Sequence, residues 1–198
     1  MSSKLILYNG PTSPFGRKAK IISLIHEIKL EEKIINIYEA DFLDIHNPSR
    51  KIPTLIGDNF TIIDSDNICL YFDSISDKQT IFPQNEYWQI MTYTSIANDL
   101  METVLNRFIE TLRKDNEKSK DYIKKLEIRI IRIIEWFEKN INFFHNKKLT
   151  MDKIAIACAL EYTMFRFTNN WQKNNNNLSL WLENFKENNF MKLTKPKI

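Results

Sequence analysis

Three short segments before residue 70 carry residue types that can grip a charged ligand. The first is Thr12-Ser13-Pro14-Phe15-Gly16-Arg17-Lys18, which joins a brief apolar run to a helical pattern. A hydroxyl there lies at a helix N-terminus, where open backbone N–H groups and the positive end of the dipole favour an anion. Ser13 can donate a hydrogen bond to that anion, or it can act only as the N-cap, for which Ser is a leading choice. The second is Lys51-Ile52-Pro53-Thr54-Leu55. A cis bond before Pro53 would turn the preceding carbonyl and N–H outward, free to pair with an extended, peptide-like ligand. The third is Asp64-Ser65, between a strand pattern and a helix pattern. Its hydroxyl and backbone amides suit a carboxylate while Asp64 suits the ammonium of the same zwitterion, and the pair also reads as a plain helix cap.

The elements that must position these segments follow from periodicity and breakers. Lys4–Tyr8 is a short strand ending at Asn9-Gly10-Pro11, and a helix opens at Pro14 and runs to about Ile28. Lys33–Tyr38 reads as a second strand. Ile52–Ile56 and Phe60–Ile63, joined by Gly57-Asp58-Asn59, read as a hairpin, followed by a short helix after Asp64-Ser65. The order βαβ then ββα implies a mixed sheet with helices packed on it. After Pro83 the period is helical throughout: Tyr87–Leu112, Tyr122–Phe144, about Met151–Phe167 and about Ser179–Asn188. The expected architecture is α/β plus all-α, with one domain over 1–78, a linker at about 79–86 and a helical domain over 87–198.

Composition narrows the function classes. Of 198 residues, 43% are hydrophobic and 27% charged, which excludes a disordered or collagenous chain. A net charge of +3 is too small to argue for nucleic acid. Cys69 and Cys158 are far apart in apolar stretches and read as reduced, buried thiols. His26, His46 and His145 show no ligand spacing, so no metal is expected. No apolar run is long enough for a membrane span, and the cytoplasm is the expected compartment. Lys114–Lys125 and Lys192–Lys197 read as solvated surface.

Taken together, the three segments resemble a cytosolic glutathione transferase. Ser13-Pro14-Phe15 with Lys18, Asn47-Pro48 followed by Lys51-Ile52-Pro53, and Asp64-Ser65 fall in that family's order and spacing. The run Ile154–Leu160 resembles the buried core helix of its second domain, and Phe190–Pro196 is similar to the tails of bacterial members. The resemblance implies a thioredoxin-like N-terminal domain, an all-helical C-terminal domain, glutathione as co-substrate and a homodimer. Ser13 would donate to the glutathione sulfur, as in the serine-type theta and zeta classes. Lys51 would approach the glycine carboxylate, Ile52 would pair its backbone with the cysteinyl unit through a cis Pro53, and Asp64 and Ser65 would hold the γ-glutamyl end. The implied reaction is conjugation of the thiolate to small hydrophobic electrophiles, or a related glutathione-dependent activity. The alternative is a non-catalytic binding or regulatory protein of the same fold.

Tyr8 is the rival to Ser13, because tyrosine-type classes carry the activating hydroxyl at the end of the first strand. The electrophile pocket would be lined near Pro11 and Phe15, by Trp88, Met101 and Phe108 of the long helix, and by Phe165 and Trp171. Each of these aromatics and Met101 also fits ordinary core packing. Two positions depart from the family pattern. Arg50 stands where many members carry Gly, and Lys153 replaces the acid expected three residues after the capping Thr150.

Overall fold

Alternation in β1 (Ile6–Asn9) buries Leu7 and Asn9 and leaves Ile6 and Tyr8 half-buried on the other face. The computed structural model describes residues 4–144 and 148–196. His145 and Lys197 lie outside them. β1 is followed by α1 (Pro14–Ile25), β2 (Glu31–Ile34), two 3-10 turns, β3 (Thr54–Ile56), β4 (Thr61–Ile63) and α2 (Ser65–Ser74). The sheet order is β2-β1-β3-β4. β1 runs parallel to β2 and antiparallel to β3, and β3 pairs antiparallel with β4. This is the thioredoxin-like arrangement. Leu7 and Leu55, opposite each other across β1 and β3, are fully buried, as are Ala19 and Ile22 of α1 and Ile68 and Phe72 of α2.

The second strand is Glu31–Ile34, not Lys33–Tyr38, and Ile37–Glu39 forms a 3-10 turn. β2 is an edge strand, and charged residues on edges discourage pairing with other chains, so its Glu-Glu-Lys sequence hides it from an apolar search. Asp73 near the end of α2 accepts from Thr80 Oγ1 at 2.6 Å and Ile81 N at 2.9 Å and lies 3.0 Å from His26 Nε2, tying the chain after α2 to the C-cap of α1.

Residues 84–188 form a second compact unit. Its helices are α3 (Tyr87–Leu112), α4 (Lys120–Lys139), α5 (Ile141–Phe144), α6 (Met151–Arg166) and α7 (Asn176–Lys186). α6 is buried from Met151 through Leu160 and packs on α3, so from Ile154 to Leu160 its pattern is apolar all round, as for a central helix. α4 shows one buried stripe, Leu126, Ile130, Ile133, Ile134 and Phe137. It ends at Lys139, with α5 as a separate turn, and α7 begins at Asn176.

Chain order assigns residues 189–196 to the helical half; packing assigns them to the first unit. There α8 (Asn189–Leu193) lies against α1. The buried Arg17 donates from Nε to Thr194 Oγ1 at 3.2 Å and from Nη2 to Met191 O at 3.1 Å.

Candidate functional site

Ser13 is the N-cap of α1. Its Oγ accepts from Gly16 N at 3.1 Å, and its own N–H donates to Gly10 O at 3.3 Å. The hydroxyl proton makes no hydrogen bond among the described residues. Asn9 fixes this loop: it is buried, accepts from Gly10 N at 2.8 Å and donates to Glu32 Oε1 at 2.9 Å. A Cβ on Gly16 would fall 1.6 Å from Asn9 Oδ1, so only glycine fits there. Sequence reasoning used Asn9 only as a chain breaker; the lone glycine in the first turn of α1 was the signal of a group pressed against it.

The Ile52–Pro53 bond is cis. The Ile52 N–H and C=O make no hydrogen bond among the described residues. Asn47 and Thr54 hold the loop before them: Asn47 Nδ2 and Thr54 Oγ1 each donate to Lys51 O at 2.8 Å. The Lys51 side chain is exposed and in no ion pair among the described residues. Gly10 lets this loop meet the first, because a Cβ there would lie 2.5 Å from Ile52 Cδ1 and 3.8 Å from Ser13 Cβ.

Sheet register brings in the third segment. Tyr8 faces Thr54, and Thr54 faces Ile63, so Asn9, Pro53 and Asp64 follow one another across the same end of the sheet. Asp64 has φ 72°, in the left-handed region that Asp tolerates better than most residues. Its Oδ1 accepts from Asp66 N at 2.8 Å and Asn67 N at 3.3 Å. Those two amides are therefore taken by the cap. Ser65 keeps its N–H and O–H, neither bonded among the described residues. Lys18, fully buried, pairs with Asp66 and so holds the first turn of α2 to α1.

Arg50 also sits in the left-handed region, at φ 49°, which explains why glycine suits this position. Its guanidinium meets Asp41 at 2.8 Å and Asp44 at 2.6 Å, so its charge is spent within the loop. The Arg50 guanidinium holds the Asp44 carboxyl below its usual range.

Residues 7–80 match the family model for the glutathione S-transferase N-terminal domain. This segment is similar to the N-terminal domain of glutathione S-transferases. Glutathione S-transferase U22 of Arabidopsis thaliana is 25% identical over 138 residues, 68% of this chain and 62% of that protein. Glutathione S-transferase D7 of Drosophila melanogaster is 35% identical over 71 residues, 34% of this chain and 32% of that one. Both matches thus span less than two thirds of the relative. A glutathione S-transferase from Methylobacillus flagellatus, solved with glutathione bound, aligns with TM-score 0.92 at 21% identity over 98% of this chain and 100% of that one. A Pseudomonas fluorescens family member, also with bound glutathione, gives TM-score 0.91 at 23% identity over the same shares. The structural matches show that the chain has the fold of these solved glutathione transferases.

In this domain Tyr8 lies apart from Asn9 by strand alternation. Asn9 reaches α1, whereas the Tyr8 ring packs 5.2 Å from that of Phe42, under Lys33 Nζ at 5.8 Å. Ser13 and Pro11 line a cleft of about 340 Å³ within this unit, walled by Asn9, Arg17 and Ile34 and by 193–196 of the tail. Phe15 is half-buried at the start of α1, with Lys18 Nζ 5.9 Å from its ring centroid. Other residues named for an electrophile pocket have different neighbours. Met101 and Trp171 are packed into the core of the second unit. Phe108 and Phe165 flank the Arg166 guanidinium at 4.0 and 4.3 Å. Trp88 is exposed and edge-on to Tyr87 at 5.2 Å. Among the described residues no acidic, His or Cys group could hold a metal, and no helix is long and apolar enough to cross a membrane.

Proposed function

We propose that the protein binds glutathione at this end of the sheet and transfers its thiolate to a small electrophile. The carrying observation is the contact chain Ser13–Gly10–Ile52: a free hydroxyl proton at a helix N-terminus beside an unpaired backbone before a cis proline. The Ile52 backbone pairs with the cysteinyl unit, which carries its sulfur toward Ser13. Lys51 takes the glycine carboxylate, Ser65 the γ-glutamyl carboxylate, and the free Oδ2 of Asp64 the ammonium. Glutathione brings the nucleophile, so the protein's task is to favour thiolate over thiol. A thiol pKa near ~8.5 falls when the anion accepts a hydrogen bond and meets the positive end of a helix dipole.

The free Ser13 proton, against a Tyr8 ring packed on Phe42 and Lys33, supports a serine-type, theta- or zeta-like assignment. The electrophile occupies the cleft beside Ser13, where Pro11, Ile34, Leu193 and Pro196 offer apolar surface. A cytoplasmic, homodimeric enzyme of detoxification is the setting the resemblance implies, and light scattering at twice the chain mass tests the dimer. The test of function is retention on a glutathione resin, release by free glutathione, and turnover of 1-chloro-2,4-dinitrobenzene and related electrophiles. Retention without turnover of any of them supports the binding or regulatory alternative; failure to be retained overturns both.

A further inference from the structure

We propose that Arg17 is a positioning residue that sets acceptor selectivity by fastening the C-terminal tail as one wall of the cleft beside Ser13. This rests on the reading of Ser13 as the residue at the sulfur.

Arg17 is four residues after Ser13 on α1 and so lies on the same face, one turn on. A buried guanidinium is costly unless its donors are satisfied. Two of its bonds go to the tail. One reaches Met191 O near the C-terminal end of α8, where a cation complements the helix dipole and open carbonyls. The other reaches Thr194 Oγ1, whose hydroxyl in turn donates to Phe190 O at 2.8 Å. The arginine and the threonine thereby close the C-terminal end of α8.

α8 has only five residues, too few to hold a helix without tertiary contacts. Its place depends on Met191, buried at 2% exposure, and on Arg17. Leu193–Pro196 line the same cleft as Asn9, Gly10, Pro11 and Ser13. Ser13 is held by Gly16 N, by Gly10 O and by the Arg17 backbone N–H, which donates to Ser13 O at 3.0 Å, and none of these bonds uses the Arg17 side chain. Loosening Arg17 therefore moves the acceptor wall and leaves the thiolate side in place.

The experiment compares glutathione with S-hexylglutathione, whose tripeptide reports the first site and whose alkyl chain reports the cleft. Affinities are measured by calorimetry for wild type, Arg17→Met and Thr194→Val, with hydrogen exchange of residues 189–194 alongside. The expected result is glutathione affinity within about twofold of wild type and a five- to tenfold loss for S-hexylglutathione in both variants, as for one lost buried hydrogen bond. Tail amides should exchange faster in both. If Arg17→Met does not fold, Thr194→Val, which keeps shape and removes only the hydroxyl, carries the test. An unchanged ratio of the two affinities, or an equal loss for both ligands, overturns the clamp. A wild type that binds neither ligand overturns the glutathione reading itself, a result distinct from either.

Discussion

Lys18 of α1 and Asp66 of α2 form an ion pair with the lysine side chain wholly buried. Ser13 heads the first of these helices, and Asp64 and Ser65 head the second. The pair thus links the proposed sulfur side and γ-glutamyl side of the site. It also explains why a lysine stands at an inward position of α1, where an aliphatic residue is the default.

Breaking that pair from one side leaves the other charge with a lost partner. Lys18→Met should destabilise the protein by about 3 kcal/mol, and Lys18→Met with Asp66→Asn should recover part of the loss. Urea denaturation of the two variants and wild type checks both. A loss under about 1 kcal/mol for Lys18→Met would mean that the methylene stem, not the charge, matters here.

Asp64 has two tasks that substitution can separate. Asn keeps an oxygen for the Asp66 and Asn67 amides but removes the charge, so Asp64→Asn should hold its melting temperature and lose about tenfold in glutathione affinity. Asp64→Ala should show the same affinity loss plus about 1 kcal/mol of stability from the missing cap. Equal glutathione affinity in Asp64→Asn and wild type by calorimetry would remove Asp64 from the site and leave it as a cap.

The two ends of the sheet show what periodicity can and cannot read. Ser13, Ile52-Pro53 and Asp64-Ser65 were legible because turn and cap chemistry is local: each is a breaker or a hydroxyl beside an apolar run. The extent of α3 was legible for the same reason, its apolar spacing being unbroken from Tyr87 to Leu112. β2 was not, because an edge strand carries Glu31, Glu32 and Lys33 while the apolar run just after it forms turns. Nor was the place of α8, which depends on a guanidinium more than 170 residues away. Phe108 and Phe165 look like pocket walls in sequence only because nothing in their spacing reveals Arg166 between them.

Asp152 supplies a prediction with a pH sign. It is buried in the first turn of α6, accepts from Thr150 Oγ1 at 2.5 Å, and burial pushes its carboxyl above the usual range. The folded state then binds its proton more tightly than the unfolded state, so the stability it contributes is present at low pH and lost as pH rises through its folded pKa. At neutral pH the charged carboxylate is a cost. Asp152→Asn, which keeps an acceptor for Thr150, should therefore melt higher than wild type at pH 7.5, with the difference shrinking as pH falls toward the ordinary carboxylate range. A difference that stays constant with pH would show that Asp152 does not titrate over this interval.

The sulfur side is tested by titrating the bound thiol. If the free Ser13 proton stabilises the thiolate, Ser13→Ala should raise the pKa of bound glutathione by about one to two units, at ~1.4 kcal/mol per unit. Affinity should fall less, because Ile52, Lys51, Asp64 and Ser65 still hold the tripeptide. The activity profile should move to higher pH, since below the pKa the thiolate fraction falls tenfold per unit. Losing the cap at Gly16 costs about 1 kcal/mol of stability, which a melting curve separates from the ionisation. Tyr8→Phe is the control: it removes only the rival hydroxyl and leaves the ring packed on Phe42. Thiolate ultraviolet absorbance against pH, for wild type and both variants with glutathione bound, decides among three outcomes. A rise in Ser13→Ala alone supports the serine-type assignment. A rise in Tyr8→Phe alone makes Ser13 no more than the cap of α1. No rise in either leaves the thiolate to the backbone amides and dipole at the head of that helix, with no side chain at the sulfur.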